Sequence, residues 1–191
     1  CPILIIEDEL IIAESIAAIL EDESYQVAGI ATCYAEAAAF FRESLPPMVV
    51  ACDINLKGGE NGIQVVTALK KQYDIEVVFI TIRSETATVQ EAIELNPVTY
   101  LVKPFSDRQL LVAMQMASHR VFKKYYGEQV SLDLSPREEE IARLVSQGYT
   151  SRQIAERLFI STETVRTHRK NMLQRNNLRS FPHLVFLLNK N

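Results

Sequence analysis

Residues 3 to 9 read ILIIEDE, four apolar residues of strand-forming type running directly into three acids. A short apolar run closed by polar residues marks a buried strand, and residues 10 to 21 behind it carry the spacing of an amphipathic helix. The alternation recurs. Further strand candidates are residues 26 to 31 (QVAGIA), 48 to 52 (MVVAC), 76 to 81 (EVVFIT) and 98 to 102 (VTYLV), with helical patterns at 34 to 43, 62 to 72 and 86 to 94. Ser106 and Gln109 have capping-box spacing and open a fifth helix, whose apolar face runs through Leu110, Met114, Ala117 and Val121. Strands alternating with helices build a parallel sheet covered on both faces. The first part is therefore expected to be doubly wound α/β.

From about Val130 the period changes and only short helices follow. Ser135, Pro136 and Glu138 make a strong helix start, and Gly148 closes that helix. Thr150 with Gln153 repeats the cap, and Ser161 caps the next helix. The expected organisation is an α/β domain over residues 1–122, a linker over 123–133 and a smaller all-α domain over 134–191.

A chain of 191 residues with 48% hydrophobic composition can bury a core. No run of about 18 uncharged apolar residues is present, so no membrane span is expected. The chain enters directly on its first strand, without the pattern of a secretory leader, and a cytoplasmic location is expected. Cys1, Cys33 and Cys52 show no CxxC spacing, which argues against a disulfide framework or a zinc site. The net charge of −4 conceals an asymmetry: residues 1–126 hold ten basic against seventeen acidic side chains, whereas residues 141–191 hold nine basic against only Glu156 and Glu163. Such a basic stripe suits a polyanion, or is a solvated helical surface.

Ligands of a doubly wound sheet sit beyond the carboxyl ends of its strands. The residues ending these strands are Glu7 and Asp8, Asp53, Thr81 and Lys103. Taken singly they have ordinary explanations: loop acids, a helix cap, a strand-end lysine with a buried stem. Converging carboxylates, however, repel unless a cation joins them, and hard oxygens suit Mg²⁺. Carboxylates with a metal, a hydroxyl and a fixed cation together make a phosphoryl site.

On "EDE" at 7–9, "CDINL" around Asp53, "FIT" ending at Thr81 and "YLVKPF" containing Lys103, the first part resembles the receiver domains of bacterial two-component response regulators. That resemblance implies a flavodoxin-like sheet of order 2-1-3-4-5. It also implies Asp53 as acceptor of a phosphoryl group from a sensor histidine kinase. Mg²⁺ would be held by Asp8, Asp53 and the main-chain carbonyl of Asn55, with Glu7 acting through water. Thr81 and Lys103 would grip phosphoryl oxygens, Tyr100 would be the switch aromatic, and the Lys103–Pro104 bond would be cis. Two positions depart from the family. Ile82 stands where a small residue is usual and is expected to narrow the approach to Asp53. The loop "NLKGGENG" uses Gly58, Gly59 and Gly62 in place of a proline and is expected to be the more mobile for it. Asn55 and Arg83 occupy positions where the family tunes hydrolysis of the phosphoaspartate.

In "STETVRTHRKNML", Val165, His168 and Met172 share one helical face, expected to be packed, and Glu163, Arg166, Thr167, Lys170 and Gln174 lie opposite. The stretch "LSPREEEIARLVSQGYTSRQIAERLFISTETVRTHRKNML" resembles the LuxR-type helix-turn-helix, the output domain of response regulators similar to NarL and FixJ. By that resemblance Arg166, Thr167 and Lys170 lie nearest base edges of double-stranded DNA, and Thr150, Arg152, Thr164 and Arg169 face phosphates. The last apolar segment either covers its own domain, the commoner fate of such stretches, or, as the resemblance implies, serves a homodimer contact with Phe186 and Leu187 as candidates, since two-fold half-sites demand a dimer at least in the active state. The expected function is a response regulator transcription factor, its DNA binding controlled by phosphorylation of Asp53. The alternative, motivated by Ile82, is an unphosphorylated receiver acting as an interaction module on a constitutive DNA binder. Because the phosphoryl group would go only to the chain itself, no enzyme with a turnover substrate is expected.

Overall fold

The computed structural model describes residues 1–42, 48–56, 61–82, 91–125 and 132–188. Five parallel strands form one sheet: β1 (Pro2–Ile6), β2 (Gln26–Ala31), β3 (Val49–Asp53), β4 (Glu76–Thr81) and β5 (Thr99–Val102), in the order β2-β1-β3-β4-β5. Side chains alternate across a strand, so each face of the sheet acquires its own apolar layer. Ile3, Ile5, Ala51 and Val78 pack under helices α1 (Leu10–Asp22) and α4 (Asp107–Tyr125). Leu4, Ile6, Cys52 and Phe79 pack under α2 (Tyr34–Phe40) and α3 (Gly62–Lys70). Most of the helix expected at 86–94 lies outside the described residues, and 91–94 are helical. The loop glycines Gly58 and Gly59, and Arg83, also lie outside them.

Helix α4 opens on the expected box, with Gln109 Oε1 accepting from the Ser106 N–H at 2.9 Å. It runs through Tyr125, three residues into the stretch expected to be linker. The second domain consists of α5 (Pro136–Ser146), α6 (Ser151–Leu158), α7 (Thr162–Arg175) and α8 (Phe181–Leu188), closed around Ile141, Ile154, Val165, Met172 and Phe181. Ser135 and Glu138 form one capping box and Thr150 and Gln153 another, and the Ser161 hydroxyl accepts from the Thr164 N–H. No described helix is long and apolar enough to cross a membrane.

The two domains meet along α4. Phe122 on α4 packs against Phe186 and Leu187, and its ring stacks on His183 at 4.6 Å. Phe186 and Leu187, expected at a dimer contact, are thus buried within the chain. Their apolar surface meets the nearer hydrophobic partner, the receiver's last helix. Arg108 lies over the Tyr149 ring at 4.5 Å and donates to the Gln147 carbonyl at 3.2 Å.

Two tests follow from this packing. A Cβ at Gly62 would lie 1.9 Å from the Asp53 carbonyl oxygen, so Gly62→Ala has to push α3 off the end of β3. Urea unfolding is expected to show a loss of about 1–3 kcal/mol. In the second domain, burial works to raise the Glu138 pKa, but the Arg175 fork and the Ser135 donors prevail and hold it at about 2. A depressed carboxyl stabilises the fold above its ordinary value and loses that contribution as pH falls through the folded one. Thermal unfolding of the wild type should therefore weaken between pH 4.5 and about 2, and Glu138→Gln should flatten that part of the profile.

Candidate functional site

The sheet order places β1 beside β3 and β3 beside β4, so the residues ending β1, β3 and β5 meet at one edge although they are far apart in sequence. Glu7 and Asp53 are both nearly inaccessible. The Lys103 ammonium, arriving from the end of β5, donates to Glu7 Oε2 and to Asp53 Oδ2, each at 2.6 Å. The other Asp53 oxygen accepts from the Asn55 N–H at 2.9 Å. Burial, opposed by Lys103 and reinforced by the charge of Asp53, raises the Glu7 pKa. Burial likewise works against the charged form of Lys103, but bonds to Asp53 and Glu7 outweigh it and the pKa is raised. The ammonium is therefore a permanent charge at neutral pH. The Lys103–Pro104 bond is cis, as expected.

The single ammonium of Lys103 is shared between the two buried carboxylates of Glu7 and Asp53 and cannot neutralise both. This residual negative charge, built from oxygens, fits a hard divalent cation. Among the described residues no three acidic, histidine or cysteine side chains converge as a full ligand set. Mg²⁺ does not require one, since it ordinarily keeps several waters and takes one or two carboxylates.

The remaining expected site residues lie nearby in particular states. The Thr81 hydroxyl donates to the main-chain carbonyl of its neighbour Ile82 at 2.7 Å and not to Asp53. The Tyr100 ring stacks on Phe79 with centroids 5.9 Å apart, and its buried hydroxyl has no hydrogen-bond partner among the described residues. Ile82, expected to narrow the approach to Asp53, is 58% exposed, its side chain directed largely to solvent.

The helix pair α6–α7 is positioned by its caps. The Thr150 hydroxyl accepts from the Gln153 N–H at 3.2 Å, and the hydroxyls of Ser161 and Thr164 lie 2.8 Å apart. Thr164, Thr167 and Lys170 are exposed, and Arg152 is exposed beside Glu156 at 3.4 Å. Arg166 is drawn to the receiver instead, its Nη2 lying 2.5 and 2.6 Å from the two carboxylate oxygens of Asp22.

Arg169 departs from the expectation most. The packed face of α7 is Val165, Arg169 and Met172, with His168 only half-buried. Arg169 is 1% exposed, pairs with the carboxylate of Glu23 and donates to the Glu23 carbonyl at 2.5 Å. The physical reason is an interdomain partner: the turn after α1 supplies a negative charge that lets the arginine be buried. Asp22, Glu23 and Ser151 are the residues that sequence reasoning missed. A signal was present, because Glu21, Asp22 and Glu23 crowd the carboxyl end of α1, where the helix dipole disfavours acids.

Comparison with known proteins agrees with this geometry. The family model described as "Response regulator receiver domain" matches residues 3–115, and that described as "Bacterial regulatory proteins, luxR family" matches residues 132–188. The chain is 27% identical over 160 residues to the oxygen regulatory protein NreC of Staphylococcus carnosus, covering 73% of this chain and 74% of that one. It is 26% identical to the transcriptional regulatory protein FixJ of Bradyrhizobium diazoefficiens over 97% of this chain and 93% of the relative. Among solved structures, the signal receiver domain of a modulated diguanylate cyclase from Desulfovibrio desulfuricans G20 superposes with a TM-score of 0.59 at 29% identity, over 64% of this chain and 97% of that one. With the receiver match spanning more than half of its length and the LuxR match following it, the chain belongs to the response regulators of the NarL/FixJ type.

Proposed function

We propose that this chain is a response regulator whose receiver takes a phosphoryl group on Asp53 from a sensor histidine kinase and thereby frees α7 for operator DNA. The observation that carries the reading is the course of α1. At its start the Glu9 N–H donates to Glu7 Oε1 at 3.2 Å, beside Asp53. At its far end Asp22 and Glu23 hold Arg166 and Arg169. One thirteen-residue helix thus joins the phosphoryl site to the DNA-facing side chains.

The chemistry assigned to each residue is simple. An Asp53 oxygen attacks phosphorus, the bond from phosphorus to the kinase imidazole nitrogen breaks, and an aspartyl phosphate forms. Asp8, Asp53 and the Asn55 carbonyl would hold Mg²⁺, with Glu7 through water. Bound there, the ion would neutralise charge on the transferring group. Lys103 leaves Asp53 Oδ2 to meet a phosphoryl oxygen, and the Thr81 hydroxyl turns from the Ile82 carbonyl to another. Tyr100, whose buried hydroxyl is unpaired among the described residues, is the side chain that answers that movement.

In the state described, DNA is excluded from Arg166 and Arg169 by the receiver. When freed, Arg166, Thr167 and Lys170 would address base edges, and Thr150, Arg152 and Thr164 phosphates. Two-fold operators call for a homodimer. With Phe186 and Leu187 buried against Phe122, the closed chain would need another surface for that contact.

The decisive measurement is intact mass together with operator binding, after incubation with Mg²⁺ and a small phosphodonor. Wild type is expected to gain one phosphoryl group and to bind operator more tightly, and Asp53→Ala to do neither. Mass gain in Asp53→Ala, or gain in wild type without any change in DNA binding, refutes the switch. In anisotropy titrations of phosphorylated protein, Lys170→Ala should cost about 1–3 kcal/mol on operator and little on random DNA. Arg152→Ala should weaken both alike and lower the salt slope by about 1.

A further inference from the structure

We infer that the α6 amino terminus, the Ser151 hydroxyl and Arg169 form a phosphodiester site of the output domain, and that Glu23 of the receiver occupies it in the closed chain in place of a DNA phosphate. The inference rests on the DNA-binding reading above and names the pocket through which receiver and DNA exclude one another.

The donor set comes first. Thr150 spends its hydroxyl on the Gln153 N–H, which leaves the Ser151 N–H, at the first turn of α6, without an intrahelical acceptor. It donates to Glu23 Oε1 at 2.7 Å, and the Ser151 hydroxyl donates to Oε2 at 3.1 Å. Arg169 Nη1 pairs with the same Oε2 and donates to Ser151 Oγ at 3.0 Å. The guanidinium is set over the Phe181 ring at 4.4 Å, and its Nε has no partner among the described residues. Ser151, Arg169 and Glu23 are each more than nine-tenths buried. A helix amino terminus, a hydroxyl and an arginine fork converging on two oxygens of one anion is the arrangement that binds phosphate. The planar carboxylate satisfies it with two oxygens, as the two non-bridging oxygens of a phosphodiester would.

Charge around the pocket points to the same ligand. Glu21, Asp22, Glu23 and Asp107 of the receiver line a cleft of about 770 Å³, opposite Thr150, Arg152, Thr162 and Arg166. The receiver thus presents a strip of acids to the side chains that are assigned to DNA. These acids gain nothing from their own helix: three of them close α1 with no basic residue in its last turn. Among the described residues, Arg166 on Asp22 and Arg169 with the α6 amino terminus on Glu23 offset that unfavourable placement. Buried Arg169 in turn needs an anion, because an unpaired guanidinium in that position carries the full desolvation cost. Closed, the anion is Glu23; open, it is a backbone phosphate.

The test uses the full chain and dimethyl phosphate as probe, read by the Ser151 amide and Arg169 guanidinium resonances in isotope-labelled protein. In wild type both signals should ignore the probe, because Glu23 fills the pocket. In Glu23→Ala both should shift on titration, and in the Glu23→Ala, Arg169→Met double variant the Ser151 shift should disappear. Glu23→Ala should also tighten binding to a random-sequence duplex by about tenfold, and Arg169→Met in that background should remove the gain evenly across sequences. Glu23→Gln keeps the shape and loses the charge, so a folded Gln variant carries the test if the Ala variant unfolds; it should respond to the probe in the same direction. A Ser151 amide that ignores dimethyl phosphate in folded Glu23→Ala or Glu23→Gln overturns the pocket, even if Lys170 still reads operator. A normal response to the probe in a chain that binds no duplex supports the pocket and rejects the DNA reading instead.

Discussion

A charge removed from water must be met by an opposite charge or it unfolds what surrounds it. That constraint organises both ends of this molecule. At one end Glu7 and Asp53 are buried within the sheet edge, and Lys103 is fastened to both at 2.6 Å. At the other, Arg169 is buried in the output domain and Glu23 of the receiver is fastened to it. Neither cluster is a source of large net stability, since desolvation offsets most of the attraction. Each instead specifies an arrangement. Moving Lys103 leaves carboxylates unpaired, and moving the receiver leaves an arginine unpaired. A group that offers either one a better partner therefore changes the structure.

The parallel sheet makes such exchange possible over distance. Its strand order brings the ends of β1 and β3 together and starts α1 at that edge. The same helix delivers Asp22 and Glu23 to α6 and α7 about 20 Å away, at 1.5 Å per residue. The second bridge is apolar, with Phe122 on α4 against Phe186 and Leu187 on α8. Apolar contact is indifferent to direction. The ionic contact is directional, and so defines which side chains of α7 are covered.

Much of this was legible along the chain. The five strands were found within a residue or two because buried parallel strands are continuous apolar runs. The caps at Ser135, Thr150 and Ser161 were found because capping is local chemistry between residues three apart. The strand-end residues Glu7, Asp53, Thr81 and Lys103 follow from the strands themselves. The faces of α7 were read less well. The apolar period put His168 beside Val165 and Met172 and passed over Arg169, because a hydrophobic pattern treats an arginine as a surface residue, and the family resemblance set it against phosphates. It was the family resemblance that offered Phe186 and Leu187 to a second copy, whereas α4 of the same chain covers them.

By itself the sequence determined the elements, their caps, their order and the side chains that end each strand, all of which depend on neighbours a few residues apart. Only the tertiary structure decided that Lys103 holds two carboxylates at once, that the Thr81 hydroxyl turns to the Ile82 carbonyl and that Arg169 is buried. The partner of Arg169, Glu23, lies 146 residues away. No local period encodes which carboxylate a buried arginine will meet, because that depends on how two finished domains dock.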